Sequence, residues 1–107
     1  MKINIKPLSV NKAWQGRRFK TDEYKAFNKE MMLKLKPITI PDGPLCVSFT
    51  FGFSNRASDI DNPLKPVIDI LQKKYGFNDN RIYELNVVKE VVKKGKEFIH
   101  FNIEKAR

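Results

Sequence analysis

Cysteine and histidine are almost absent from this 107-residue chain, which has one of each, Cys46 and His100. A single cysteine cannot close an internal disulfide, and the two together leave no Cys/His set for zinc. Long apolar runs are missing too, since nothing approaches the ~20 residues of a membrane-spanning helix. From Met1 to Lys6 the apolar character breaks at every second residue, which argues against a signal peptide. Repeats, low-complexity tracts and interdomain linkers are also lacking. These gaps predict a cytoplasmic, single-domain chain with no membrane partner, in which any metal must be held by oxygen.

Charge is what the chain has in excess. It carries 21 Lys and Arg against 12 Asp and Glu, a net charge of +9. A balance of that size favours a polyanionic partner, nucleic acid above all. The charge is unevenly placed. Residues 1–40 hold ten basic and three acidic side chains, whereas residues 41–81 hold five of each, all the acids being aspartates. A cluster of carboxylates (Asp42, Asp59, Asp61, Asp69, Asp79) in the neutral middle of a basic protein is electrostatically odd unless a cation binds there.

Periodicity predicts an α/β (α+β) fold in the order β-loop-α-β-α-β-β: a small mixed sheet covered by two helices over residues 1–107. Ile3 and Ile5 alternate with polar residues in a short first strand. Residues 9–20 lack a period and read as a loop or irregular hairpin. Thr21 is a candidate N-cap, with Asp22 and Glu23 in the first turn, and Tyr24, Phe27, Met31 and Leu35 recur at helical spacing until Pro37. Leu45, Val47, Phe49, Phe51 and Phe53 alternate as the clearest strand. Asn62 and Pro63 read as cap and first residue of a second helix, which Gly76 closes. Residues 82–92 and the run through Ile99, Phe101 and Ile103 flank a Gly-containing turn, so the last two strands are expected to pair as a hairpin.

The stretch that points to chemistry is Asp59, Asp61 and Lys65, followed by Asp79. If Asp59 and Asp61 continue an extended run, their side chains share one side, where they must repel or share a cation. Mg²⁺ suits such oxygen ligands. Lys65 lies in the first turn of the second helix, an unfavourable place for a cation on dipole grounds. Beside a metal-bound phosphate it could stabilise transition-state charge. Plainer readings stand beside this one: Asp59 and Asp61 as loop carboxylates, Lys65–Asp69 as a surface i, i+4 pair, Asp79 as a turn residue. An EF-hand is excluded, because the loop lacks its glycine and its closing glutamate. Lys12, Arg17, Arg18 and Lys20 interleave with Trp14 and Phe19, a pattern suited to phosphate contacts and base stacking. Arg56 adds a cation beside the aspartates. The same loop could instead be solvated, with both aromatics tucked into the core.

At these residues the chain resembles the RusA family of Holliday-junction resolvases. The family motif D-x-D-N-x-x-K-x-x-x-D-x-L is matched by Asp59, Asp61, Asn62, Lys65, Asp69 and Leu71. A later element, a glycine, an acidic pair and a strand ending near V-V-K, is matched by Gly76, Asn78-Asp79 and Val87 to Lys89, and the early Pro7 to Asn11 is similar to the family's opening loop. The resemblance spans nearly the whole chain. It implies that Asp59, Asp61 and Asp79 bind Mg²⁺, that Lys65 is catalytic, and that a homodimer nicks opposed strands of a four-way DNA junction. Asn78 departs from the pattern, replacing one acid of the pair. The surplus apolar residues Val87, Val88, Val91, Val92 and Phe98 either form the dimer surface that the resemblance implies or pack under the helices. Two other functions fit the same residues: a non-catalytic basic DNA-binding module, and a nuclease of this fold acting on other branched DNA.

Overall fold

Leu45, Val47, Phe49, Phe51 and Phe53 bury their side chains on one face of a nine-residue strand, as their alternation predicts. This strand organises the molecule. The structure, a computed structural model, describes residues 1–8, 14–15 and 19–107, and the side chains of all residues outside 9–20. Its elements are β1 (Lys2–Ile3), β2 (Trp14–Gln15), β3 (Phe19–Lys20), α1 (Asp22–Lys34), β4 (Leu45–Phe53), α2 (Leu64–Tyr75), β5 (Ile82–Val91) and β6 (Phe98–Lys105). A 3-10 turn, Asp79–Arg81, leads into β5.

Four strands form a mixed sheet in the order β1-β6-β4-β5, so the fold is α+β with two helices, the class expected. β2 and β3 pair separately as a small antiparallel ribbon. The last two strands do not form a hairpin. β4 lies between them, antiparallel to β6 and parallel to β5. A physical reason lies in β4 itself. Its second face carries Cys46, Ser48, Thr50 and Gly52 and no charge, whereas Glu84, Glu90 and Glu104 lie on its neighbours. The uncharged strand takes the centre and the charged ones flank it. The parallel pair needs a crossover, which α2 provides. Residues 92–97 then bridge over the end of β4, with Val92 N–H donating to Phe53 O at 2.7 Å and Gly95 at φ 90°.

Both helices pack their apolar stripes onto the core of the sheet. Thr21 Oγ1 accepts from Tyr24 N–H at 3.1 Å and starts α1, which buries Tyr24, Phe27 and Met31 before ending at Lys34. Leu35, the next residue, is also buried. α2 buries Pro66, Val67, Ile70 and Leu71 and closes at Gly76, whose φ of 70° is the left-handed cap that favours glycine. Its start differs from expectation. Asn62 does not cap it; Pro63 occupies that position in the αR region, with no side-chain cap. A capping side chain needs an extended backbone, and here the chain is already turning from Asp59 onward. The outer face of the sheet is polar, with Ser48, Asn86 and Asn102 in register. Two places on that face are apolar: Val88, in register with Thr50, and Gly52, where a Cβ would lie 2.4 Å from the ring of Phe98, which covers it.

Candidate metal centre

The loop from β4 to α2, residues 54–63, carries the aspartate pair. Its bonds are short-range: Asn55 Oδ1 accepts from Ala57 N–H at 2.8 Å, and Asn55 O from Ser58 N–H at 3.2 Å. Two further turns follow, Asn62 N–H to Asp59 O at 3.3 Å and Leu64 N–H to Asp61 O at 3.1 Å. Asp59 and Asp61 therefore sit in the winding entry to α2 rather than on an extended run. Both are exposed, and among the described residues neither carboxylate has an ion-pair or hydrogen-bond partner. Lys65 follows, exposed in the first turn of α2; the plainer reading of it as half of a surface pair with Asp69 has no ion pair recorded for it. Asp69 is half-buried and faces the Tyr24 and Lys73 side chains at the helix–helix contact. Burial raises the Tyr24 hydroxyl above its ordinary pKa; Lys73 opposes the shift and Asp69 adds to it.

Asp79 lies elsewhere. Its N–H is bound by Gln72 Oε1 at 2.8 Å, near the C-terminal end of α2, and β5 begins beside Leu45 three residues later. The aspartate pair follows Phe53, at the other end of β4. Nine strand residues separate those ends by about 26 Å. Within one chain the three carboxylates expected to share an ion are not brought together. Among the described residues, no three Asp, Glu, His or Cys side chains could hold one metal. The reason is strand order: β5 starts at the Leu45 end and only then runs back toward the pair. Asp59 and Asp61 are two exposed carboxylates two residues apart, and a hydrated Mg²⁺ takes one or two such ligands and keeps several waters.

What β5 delivers to the aspartate loop is Lys89. Its Nζ donates to Arg56 O at 2.6 Å and to Ser58 O at 2.5 Å, and sits 5.9 Å from the centre of the Phe53 ring. The sequence reading missed this residue's role. The sequence offered only its place at the end of the V-V-K element; the core-facing register opposite Phe51 comes from the parallel pairing of β5 with β4.

The Phe53 end also collects cations. Arg56, Lys65, Lys93, Lys94 and Lys96 are exposed there. Lys12, Arg17 and Arg18, the expected DNA contacts of the opening loop, lie outside the described residues, as does the side chain of Lys20. Beside the loop a cleft of about 320 Å³ opens between the starts of both helices, lined in part by Lys6, Glu23, Ser54, Asn62 and Glu97. Glu97 is held there by Ser54 Oγ at 2.9 Å and Gly95 N–H at 2.8 Å. His100 is exposed on the outer face, away from this chemistry.

The expected dimer surface is divided. Phe98 is buried and Val87 packs on the core, whereas Tyr83 (72% exposed), Leu85 (44%), Val88 (54%) and Val91 (50%) leave β5 a largely apolar edge. Among the described residues, no helix is long and apolar enough to cross a membrane. No family model matches the chain, and no curated protein does. The likeness to RusA-type resolvases therefore rests on the motif residues themselves.

Proposed function

We propose that this chain is a Mg²⁺-dependent endonuclease for branched DNA, acting as a homodimer on four-way junctions. The observation that carries the reading is the pair of exposed carboxylates, without protein partners among the described residues, one turn ahead of Lys65 and at the same end of the sheet as Arg56, Lys93, Lys94 and Lys96. Asp59 and Asp61 would hold the ion. When bound, Mg²⁺ would supply an acidified water and charge neutralisation at the phosphate. Lys65 would lie against the non-bridging oxygens and stabilise the charge that develops on them. Arg56, Lys93, Lys94 and Lys96 would bind flanking phosphates and orient the strand.

The position of Asp79 shapes this proposal. β5 is an outer strand of ten residues with unpaired backbone groups and exposed apolar side chains, a template for pairing with a second chain. Antiparallel pairing of β5 with its two-fold mate over its whole length would set residue 82 of one chain opposite residue 91 of the other, and so bring residue 79 to the 92–97 bridge at the other chain's Phe53 end, the end that carries the aspartate loop. Asp79 of the partner subunit would then complete each site, and two such sites on a two-fold axis suit opposed strands of a junction.

Incubation with a synthetic four-way junction, with and without Mg²⁺, tests the activity. Asp61→Asn is expected to lower cleavage by about 10³-fold, as loss of several kcal/mol of metal stabilisation implies. Mixing Asp61→Asn chains with Asp79→Asn chains tests the shared site. Each mixed dimer regains one intact set, so nicking should return although either variant alone is inactive. No recovery despite confirmed subunit exchange would return the site to a single chain.

The distance between Asp79 and the pair within one chain also favours a second reading, a non-catalytic basic module for branched DNA. Tight junction binding with no cleavage at any Mg²⁺ concentration would establish it.

A further inference from the structure

Lys89 is the one side chain of β5 that reaches the aspartate loop through hydrogen bonds. It occupies a core-facing position, opposite Phe51, and is half-buried rather than solvated. A lysine rarely takes such a place unless its ammonium is satisfied. Here the ammonium reaches across the sheet end to two backbone carbonyls, Arg56 O at 2.6 Å and Ser58 O at 2.5 Å.

Those carbonyls flank Ala57, and the second belongs to the residue immediately before Asp59. Every other hydrogen bond recorded within residues 55–62 among the described residues is local, spanning two or three positions. The loop's upstream end is fixed by Ser54 Oγ donating to Glu97, and its downstream end by α2. Between those anchors, among the described residues, the hydrogen bonds that tie it to the sheet come from Lys89. The alternate placement of the two acceptors, one on each side of Ala57, means that a single ammonium fixes the direction in which the chain enters Asp59.

We infer that Lys89 is a positioning residue: by clamping Arg56 O and Ser58 O it presets the Asp59–Asp61 turn for a divalent cation. The inference rests on the reading of Asp59 and Asp61 as cation ligands, and it concerns how they are held. Lys89 touches neither substrate nor ion. Its positive charge also belongs to a backbone clamp rather than to the phosphate-binding surface, which separates it from Arg56, Lys93, Lys94 and Lys96. Groups that orient metal ligands from behind typically change metal affinity by about 10- to 100-fold when removed. Acting through backbone rather than through the carboxylates themselves, Lys89 falls at the lower end.

The test is Mn²⁺ binding, followed by electron paramagnetic resonance on the full chain in the absence of DNA. Wild type, Asp61→Asn, Lys89→Met and Lys89→Arg are compared, together with metal-free junction affinity. Lys89→Met is expected to weaken Mn²⁺ binding about tenfold while metal-free junction affinity stays within about twofold, and Lys89→Arg should recover most of the loss. A general structural defect would lower both readouts together, and a phosphate contact would lower junction affinity alone. Either pattern overturns the inference. If Lys89→Met does not fold, Lys89→Gln keeps a polar group in place but is too short to span both carbonyls, and the same comparison applies. Mn²⁺ binding that depends on Asp61 yet ignores every Lys89 replacement overturns the positioning role alone. Mn²⁺ binding indifferent to Asp61 overturns the metal reading and this inference with it.

Discussion

The two ends of the central sheet use their polar groups differently. At the Leu45 end, side chains close on backbone carbonyls. Arg81 donates to Gly43 O at 3.1 Å and, through its other nitrogen, to Pro41 O. Tyr75 Oη donates to Lys36 O at 2.6 Å, and Lys74 Nζ to Met32 O at 3.2 Å. The C-terminal Ala106 N–H closes on Pro44 O at 2.9 Å. At the Phe53 end, Arg56, Asp59, Asp61 and Lys65 present exposed charged side chains with no recorded hydrogen-bond or ion-pair partner among the described residues. Donors at the first end hold the chain, though Asp42, Asp79 and Lys105 stand exposed there; at the second, one short stretch leaves two carboxylates and two cations facing outward. Among the described residues, Lys89 and Glu97 are the charged side chains that make hydrogen bonds at that open end.

Lys65→Ala gives the largest expected effect on this comparison. Single-turnover cleavage of a junction should slow by about 10²-fold, with binding weakened far less, because the proposed role lies in the transition state. Urea unfolding of the same variant should shift by less than about 0.5 kcal/mol, as expected for an exposed cation with no partner. An affinity loss equal to the rate loss would make Lys65 a plain phosphate contact. The opposite end should behave in reverse. Arg81→Ala removes two charge-assisted hydrogen bonds from a half-buried guanidinium, and about 1–2 kcal/mol of stability should go with them. An unfolding midpoint unchanged by that replacement would show that the Leu45 end is no better stitched than the other.

Local signals were read well and non-local ones were not. The stripe of Tyr24, Phe27, Met31 and Leu35, the alternation through Phe53 and the cap at Gly76 are all encoded within one element, and each stands in the structure as read. The hairpin failed because β4 outcompetes either neighbour for the central place, and that contest is invisible in the turn between β5 and β6. Asp79 was grouped with Asp59 and Asp61 by motif. Its distance from them follows from the strand order, which no local spacing reports. Lys89 was passed over for a related reason: its register opposite Phe51 depends on parallel pairing with β4. What lay hidden was which end of the sheet each residue reaches.

Glu97 gives the smallest expected effect and the sharpest view of how the open end is held. Its carboxylate accepts from its own backbone N–H, from the Ser54 hydroxyl and from Gly95 N–H, with Lys6 nearby. These contacts favour the charged form, its own N–H most and the Ser54 hydroxyl next, and they outweigh a slight opposing effect of burial. The folded carboxyl therefore titrates below its ordinary value. A group depressed in this way contributes stability that is complete above its unfolded pKa, about 4.3, and lost as pH falls through the lower folded value. Glu97→Gln removes the charge at every pH, so it should cost stability near neutrality and progressively less in acid. Urea midpoints of both proteins between pH 7 and pH 2.5 should draw together below about pH 4. A gap that stays constant down to pH 2.5 would mean that shape rather than charge fixes Ser54, leaving Lys89, among the described residues, as the charged side chain that tethers that end of the sheet.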